Sequence, residues 1–590
     1  MISYIFILLG SIFFLYPKER EIEKNSFYVL IFSSIIFAQS ILGLISLILI
    51  HSNLSRVPIL IISILLIAIS NLFYYKKSID KFNQIKIFLL DEIRIFFDKK
   101  KFDYSSKKYI YIILFLLIII FLSSFGPVNH PDATDYHVGY PFQYYLRGGF
   151  FIDGGLHQGL VGIGDYANLA FIQEKNIWFI RPMQIINLPI IILFLSKKIK
   201  NNLFLVAFIS VPVFISWSTM AKPLFLGDST LVILYLIWKE SKSNYSLKFL
   251  LISMILCIGY KISGLIIVFP IFLDIGVHFS KGINLNKNIF KDIKYIFKSK
   301  EFAIATFIII SLFLDRQIIT GNFAYPLLTN VFNKNDIQKF EFSKDLQNYR
   351  DIFFFIKIFI PSKILELNGT MGPGIFIISF NLFLAKLKNF NETKKDIFYV
   401  YLGQILMLTL FCQGRADYYS SPLILMIYQS SQLNEFLRKN NYRFIINISI
   451  KFQILISLLY LFYSLNLNFL YLINYKHTMN KSAAGFFAAQ VIDKNLRGNF
   501  VTFERNTKLY YPANYIAGDK IKKCIFENEL LEKDSKVYCF EKYDINQIIT
   551  YPDYSIPNNL FKCKIIDSFR AGRNIFNRKK FKLKYCIRTG

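Results

Sequence analysis

The sequence predicts an all-α polytopic membrane protein with a small α/β domain at its C-terminal end. Of the 590 residues, 54% are hydrophobic and 63 are phenylalanine. Only 18% are charged, against about 25% in ordinary soluble proteins. Apolar runs of near-spanning length recur from residue 1 to about residue 465, which raises the mean hydropathy to +0.40. This composition excludes soluble enzymes, disordered chains and small disulfide-stabilised proteins.

The apolar runs predict about 13 to 14 transmembrane helices. We expect the segment 249–277 to enter and return as a hairpin, turning at Gly259-Tyr260-Lys261-Ile262-Ser263-Gly264, because basic segments flank it on both sides. The first run lacks the basic region and cleavage site of a signal peptide, so we predict a helix there. The predicted spans are 2–16, 27–50, 57–75, 109–125, 177–195, 203–217, 223–238, 249–277, 302–314, 374–387, 397–411, 421–436 and 444–465.

The charge pattern predicts the orientation. The chain has 69 Lys and Arg against 39 Asp and Glu, a net charge of +30. Since cytoplasmic loops collect Lys and Arg, we assign this excess to the inner loops rather than to nucleic-acid binding. The basic segments are 76–108, 197–200, 239–248, 281–300, 386–395 and 438–443; those poor in Lys and Arg are 51–56, 126–176, 218–222 and 412–420. Both termini then face outward from the cytoplasmic (inner) membrane.

Three regions follow from this pattern. Residues 1–108 hold N-terminal transmembrane helices and a basic cytoplasmic loop. Residues 109–475 form a transmembrane core with long outer loops at 126–176 and 315–373, the second including a predicted interfacial helix at 351–360. Residues 476–590 form the extracytoplasmic α/β domain.

The C-terminal domain is predicted from mixed charge and short β-rich runs. We expect strands at 499–504, 536–541, 547–551, 562–569 and 580–587. Four of the six cysteines lie here: Cys524, Cys539, Cys563 and Cys586. An oxidising compartment favours one or two disulfides among them, with buried free thiols as the alternative.

The first long loop carries the chemistry-bearing residues. It includes Asp132-Ala133-Thr134-Asp135-Tyr136-His137 shortly after a predicted membrane helix. A carboxylate at such a junction lies against the apolar bilayer surface. This position can raise its pKa and so suits it to accept a proton from a hydroxyl group.

Asp-x-x-x-Tyr-His outside an early membrane helix, followed by Tyr144-Tyr145-Leu146-x-x-Gly149, resembles the first outer loop of GT-C fold glycosyltransferases. This family includes protein O-mannosyltransferases and the aminoarabinose transferases that act on lipid A. Three later segments are similar to motifs of the same family, in order and on the expected side. They are the Lys261 helix pair with Pro270, Asp315-Arg316 with Thr320-Gly321-Asn322-Phe323-Ala324-Tyr325-Pro326, and Arg415-Ala416-Asp417-Tyr418-Tyr419-Ser420-Ser421-Pro422. Many members have Asp-Glu at the first motif, where this chain has Asp132-Ala133.

The resemblance implies an enzyme that uses a polyprenyl-phosphate sugar at the outer membrane face and passes the sugar to a lipid, glycan or protein acceptor. Asp132 would be the catalytic base, with Asp135 and Asp165 as the other carboxylates of the catalytic loop. The predicted substrate-binding residues are Tyr136, His137, Lys222, Lys261, Arg316, Tyr325 and Arg415. The cations among them would hold the lipid phosphate.

Other interpretations of these residues remain open. Asp132 and Asp165 are also suited to cap helices, and Lys222 and Arg415 to anchor at the interface. His130, His137 and His157 share the loop, but their spacing matches no metal site, so no cofactor or metal is predicted. Asp228 lies inside an apolar helix and requires a functional or helix-pairing role.

Two other functions compete with a glycosyltransferase. An O-antigen-type polymerase or ligase also has many spans and long outer loops, and would depend on arginines in those loops. A transporter or flippase would favour internal repeats and ionisable groups near the middle of the membrane, where only Asp228, Lys261 and Asp274 are candidates.

Overall fold

A computed structural model describes most of the chain. The described residues are 1–17, 25–97, 104–155, 157–199, 201–283, 294–327, 358–359, 370–387, 395–411, 416–430, 443–483, 485–494, 498–503, 508–528, 535–571 and 578–589. The protein is mostly helical, with a small C-terminal sheet domain.

The helices up to residue 283 are α1 Ile2–Leu15, α2 Ser26–His51, α3 Ile59–Phe97, α4 Tyr104–Ser124, α5 Gly139–Arg147, α6 Ile163–Tyr166, α7 Asn168–Gln173, α8 Ile180–Met183, α9 Leu188–Lys198, α10 Asn202–Ile209, α11 Phe214–Thr219, α12 Leu224–Ser241, α13 Asn244–Tyr260 and α14 Gly264–Ile283. Those that follow are α15 Lys300–Thr320, α16 Pro373–Leu387, α17 Lys395–Phe411, α18 Ser420–Ser430, α19 Arg443–Ile473, α20 Tyr475–Ser482, α21 Phe486–Lys494, α22 Gly518–Glu527 and α23 Ser535–Lys542.

Four helical segments of the described chain are long and apolar enough to cross a membrane. They are Ser26–His51, Ile177–Lys198, Lys300–Thr320 and Phe444–Ile473. Shorter apolar helices accompany them, including Asn244–Tyr260 and Gly264–Ser280. Long apolar helices of this kind are typical of membrane proteins, because a helix satisfies its own backbone hydrogen bonds where water is absent.

The break predicted at residues 259–264, within the segment 249–277, is confirmed. Helix α13 ends at Tyr260, and α14 begins at Gly264. Lys261 between them is extended, with φ −157° and ψ 137°. A Cβ on Gly264 would lie 2.5 Å from the carbonyl oxygen of Cys257, so only glycine permits this tight return.

Two predicted continuous helices are broken. The segment 203–217 divides into α10 and α11 on either side of Pro212, which lacks the backbone N–H for a helical hydrogen bond and so disfavours a continuous helix. The segment 177–195 divides at residues 184–187, between α8 and α9. Asp315, predicted to begin the second outer loop, lies instead in the last turns of α15. The interfacial helix predicted at 351–360 lies outside the described residues except for 358–359.

The C-terminal domain is a five-stranded sheet. Its strands are β1 Asn499–Thr502, β2 Tyr515–Ala517, β3 Ile545–Thr550, β4 Phe561–Ala571 and β5 Arg578–Arg588, in the order β2-β1-β3-β5-β4. The first three are parallel, and β5 pairs antiparallel with both β3 and β4. Successive side chains alternate faces: Phe500 packs toward α21, whereas Val501 packs toward α22 and α23.

The strand predicted at 536–541 is wrong, since these residues form helix α23. The prediction of disulfides is confirmed twice. Cys524–Cys539 joins α22 to α23, and Cys563–Cys586 joins directly opposed residues of β4 and β5.

A short 3₁₀ turn, Lys508–Tyr510, attaches this domain to the loop after α4. Gln143 of α5 donates to the carbonyl oxygens of Lys508 and Tyr511, each at 2.8 Å. Gly139 permits the approach, because a Cβ there would lie 3.1 Å from the Lys508 side chain. Leu509 is buried within the core of the helical region. The two parts of the protein therefore share an interface beside the loop that carries Asp132.

Candidate functional site

Asp132 lies at the start of a π-helical turn, Ala133–His137, in the loop after α4. Its side chain makes no cap hydrogen bond to this turn, so the capping interpretation is not observed. Oδ2 of Asp132 instead contacts Nζ of Lys222 at 2.7 Å. The Asp132 side chain is 30% exposed, whereas that of Lys222 is only 4% exposed.

Lys222 has a second carboxylate partner. Its Nζ lies 3.3 Å from Oδ2 of Asp417, in the 3₁₀ turn Ala416–Tyr418 before α18. The indole Nε1–H of Trp217 donates to the carbonyl oxygen of Asp417 at 2.8 Å and fixes this turn. One buried ammonium therefore bridges two carboxylates that lie far apart in the sequence.

The backbone before Lys222 is strained. Ala221 is buried and has φ +54°, a left-handed conformation that is uncommon outside glycine. Lys222 precedes Pro223, which opens α12 and restricts its predecessor to extended backbone. Strain of this kind is retained where the surrounding structure demands one side-chain direction. Here that direction is toward Asp132 and Asp417.

Lys261 approaches the same region from the break between α13 and α14. Its Nζ donates to the hydroxyl of Tyr418 at 3.0 Å and lies 4.9 Å from the centre of that ring. Because Tyr418 directly follows Asp417, the turn 416–418 contacts both lysines.

His137 and Asp165 form a buried pair beside these lysines. Nδ1 of His137 lies 2.7 Å from Oδ1 of Asp165, and Oδ2 of Asp165 accepts the backbone N–H of Gly162 at 2.8 Å. Asp165 is the third residue of α6, whose N-cap is Gly162, so the N-cap interpretation is wrong. Its hydrogen bond to the Gly162 N–H instead holds the start of this helix, while the same carboxylate orients the imidazole. A carboxylate partner requires a proton on Nδ1, which leaves the buried Nε2 as an acceptor, and Nε2 has no partner among the described residues.

The charge state of His137 follows from its surroundings. Burial lowers the pKa of His137, and the nearby Lys261 and Lys222 lower it further, against the opposing effect of Asp165. The folded protein therefore keeps this imidazole neutral near pH 7.

Arg316 lies behind Asp165, near the end of α15. It is 1% exposed, and within the described residues none of its three guanidinium nitrogens has a hydrogen-bond partner. It interacts electrostatically with Asp315, Tyr166 and Asp165. Asp315 itself is bound by Nε2 of His51 at 2.8 Å and by the Tyr166 hydroxyl at 2.7 Å. Burying a guanidinium without hydrogen bonds costs free energy, unless a bound ligand supplies the missing acceptors.

Asp135 binds different partners from Asp132. It is fully buried and forms ion pairs with Lys508 of the C-terminal domain and with His157. Burial alone would raise the pKa of Asp135, but Lys508 and His157 outweigh burial and hold it below its usual range. Asp135 is therefore an anchor between domains in this structure, not a neighbour of Lys222. The Tyr136 ring packs against the rings of His137 and His157.

Of the last two predicted site residues, Tyr325 lies within the part of the chain that the structure describes and Arg415 does not. Tyr325 is buried, and a Cβ on Gly159 would lie 2.8 Å from its ring, so Tyr325 packs against the loop region between α4 and α9 that also carries Asp132. Arg415 lies outside the described residues, directly before the turn that carries Asp417.

Sequence reasoning missed two groups. Asp417 stands within the Arg415-to-Pro422 motif, and its place beside Arg415 was the available signal. Lys508 has no comparable signal in the sequence, since nothing local distinguishes it from other lysines.

Asp228 pairs helices: its Oδ1 accepts from Sγ of Cys257 at 3.4 Å, which links α12 to α13.

No cluster of three His, Cys, Asp or Glu side chains suited to a metal ion occurs among the described residues. His137 and His157 bind different carboxylates.

The sequence matches no protein-family model and no curated protein. The site itself combines a part-exposed carboxylate, two lysines, a neutral histidine and a buried arginine, a set suited to proton removal beside a bound anion.

Proposed function

We propose that this protein is a membrane glycosyltransferase of GT-C type, which moves a sugar from a polyprenyl-phosphate donor to an acceptor at the outer face of the cytoplasmic membrane. The observation that carries the proposal is the meeting of Asp132, His137, Lys222 and Lys261, from three separate segments of the chain, around one region. Asp132, His137 and Lys261 belong to the motifs on which the family resemblance rests, and Lys222 is a cation predicted near the outer face.

Asp132 is the proposed general base. It is the most accessible carboxylate of the cluster, since Asp165 and Asp417 are nearly buried. The acceptor oxygen attacks the sugar's anomeric carbon, its proton passes to Asp132, and the bond from that carbon to the phosphate oxygen breaks. The polyprenyl phosphate leaves with the bonding electrons and gains a negative charge.

The cations of the cluster are proposed to stabilise that charge. A phosphate beside Lys222 would draw the ammonium from Asp132 and leave this carboxylate free to accept the proton. Lys261 is the second proposed ligand, and Arg316 supplies buried positive charge behind Asp165. The unpartnered Nε2 of His137 is an acceptor for a sugar hydroxyl group.

The membrane arrangement belongs to the same proposal. We infer about 13 to 14 spans, with the cluster and the C-terminal domain on the outer face. Two disulfides in that domain support an oxidising compartment. A donor held by a prenyl chain would then enter laterally from the bilayer.

The proposal is tested by sugar transfer from polyprenyl-phosphate donors by the purified protein in detergent. Replacing Asp132 by Asn preserves size but removes the base, so we expect turnover to fall about 10²–10⁴-fold. Asp553→Asn is the matched control, because Asp553 is exposed in the C-terminal domain and should transfer at the wild-type rate.

Two results would contradict this function. One is the absence of transfer by wild-type protein with every donor of this class. The other is near wild-type turnover by a folded Asp132→Asn protein, which would remove the proposed base and make Asp165 the next carboxylate to replace.

A further inference from the structure

A second polar site lies apart from Asp132, where α2 turns into α3. An open cavity of about 430 Å³ occupies the space between this turn and the end of α5. Its size is typical of small-molecule sites. Arg56 and Arg147 line it, together with Leu54, Val57 and the backbone of Gly148.

Both arginines are held in place by carbonyl groups. Nε and Nη2 of Arg56 donate to the carbonyl oxygens of Tyr145 and Leu146 at the C-terminal end of α5. Gly148, with φ +85°, closes this helix and lies against the Arg56 guanidinium. Nη2 of Arg147 donates to the carbonyl oxygen of Tyr515 at 2.7 Å.

The carbonyl contacts involve neutral groups and do not compensate the charge of either arginine. Within the described residues, neither Arg56 nor Arg147 forms an ion pair with a carboxylate. Asp153 lies within electrostatic range of Arg147 and offsets part of its charge, although this carboxylate accepts its hydrogen bonds from the hydroxyls of Tyr140 and Tyr515. Because both guanidinium groups are already fixed, an anion between them would lose little side-chain entropy on binding.

An apolar surface continues from the cavity along α3. Leu54 and Val57 are 50% and 37% exposed, and Ile61 and Leu65 are each 55% exposed. Ile61 and Leu65 are four residues apart and share one helix face. This face adjoins the end of α2, one of the four helices long enough to span a membrane.

We propose that this cavity binds an anionic phospholipid, with the phosphate between Arg56 and Arg147 and an acyl chain along Val57, Ile61 and Leu65. Two cations without carboxylate partners match a headgroup of net negative charge. They disfavour a headgroup that carries its own ammonium group. The site is independent of the proposed sugar transfer.

The test is native mass spectrometry of the full-length protein in detergent, with phosphatidylglycerol or phosphatidylethanolamine of identical acyl chains. We expect the wild type to retain phosphatidylglycerol preferentially. Arg56→Gln should weaken this binding about 10- to 100-fold, as expected for one charge-assisted contact. Lys523→Gln, an exposed lysine of α22, changes the net charge equally and should leave binding unchanged.

Arg56→Lys serves as the second variant, because it keeps the charge and should retain part of the preference. An unchanged thermal unfolding midpoint shows that Arg56→Gln remains folded. Equal retention of the two lipids, or wild-type binding by folded Arg56→Gln, would overturn the proposal. Displacement of phosphatidylglycerol by equimolar polyprenyl phosphate would assign the cavity to the donor lipid. Displacement by equimolar inorganic phosphate would show that the acyl chain does not contribute to binding.

Discussion

Lys222 is the residue whose partners define the candidate site. It is buried between Asp132 and Asp417, so its removal takes away the ammonium that both carboxylates contact. A carboxylate that loses a contacting cation becomes harder to keep charged at a partly buried site, which costs free energy.

We therefore expect Lys222→Met to reduce the free energy of unfolding by roughly 3 kcal/mol. This is the lower end for a broken buried pair, because Asp132 is partly exposed. Asp417→Asn should cost less, since Lys222 keeps Asp132 as a partner. Thermal unfolding in detergent compares the two variants. A larger loss for Asp417→Asn than for Lys222→Met would contradict the bridging role.

His137 predicts a pH dependence of stability. Its pKa is lowered in the folded protein by burial, and then by Lys261 and Lys222, so the unfolded chain binds the proton more readily. The free energy of unfolding should therefore fall as the pH decreases below about 6.5, the ordinary histidine value. Above that value, the imidazole is neutral in both states and contributes no slope.

The measurement is the thermal unfolding midpoint between pH 8 and pH 5.5. His137→Gln should flatten the decrease at acidic pH, whereas His477→Gln should not, because His477 is exposed on α20. Identical pH profiles for wild type and His137→Gln would show that this group is not held neutral.

At the scale of elements, Gly162 permits the loop that follows α4 to lie close against the α13–α14 break. A Cβ on Gly162 would lie 1.9 Å from the carbonyl oxygen of Tyr260, directly before Lys261. We expect Gly162→Ala to separate the loop from the break and to destabilise the protein by about 1–3 kcal/mol, as overpacking does.

Gly276→Ala is the matched control, since a Cβ there meets no atom within 4 Å in helix α14. It should be neutral, or stabilising by up to about 1 kcal/mol through reduced freedom of the unfolded chain. The two alanine variants are compared by thermal unfolding. Equal effects would mean that the close contact with Tyr260 does not hold the loop.

For the whole molecule, the bias of Lys and Arg among loops predicts which regions share one side of the membrane. Single cysteines introduced at Ser52 and at Lys298 should differ in labelling by an impermeant thiol reagent in intact spheroplasts. Both positions are exposed. Ser52→Cys should label, and Lys298→Cys should label only after permeabilisation. The reverse pattern would invert the proposed topology.

The sequence by itself determined the features that depend on local composition. Apolar runs long enough to form helices, the return at residues 259–264 and the position of Asp132 after α4 could all be predicted. Apolar periodicity and glycine turns depend on residues that are close together in the chain, so the sequence alone contains that information. The prediction of a strand at 536–541 was wrong because so short a pattern of apolar residues fits both a helix and a strand. Packing against α22 and β3 selects the helix.

Only the tertiary structure decided which side chains meet. Asp132 and Asp417 share Lys222, Lys261 contacts Tyr418, and Asp135 pairs with Lys508 of another domain. These partners are far apart in the chain, and nothing local distinguishes Lys508 from other lysines. Desolvation couples them: a charge buried by helix packing requires an opposite charge wherever the fold brings one. The arrangement around Asp132 thus depends on how the helices and the C-terminal domain pack.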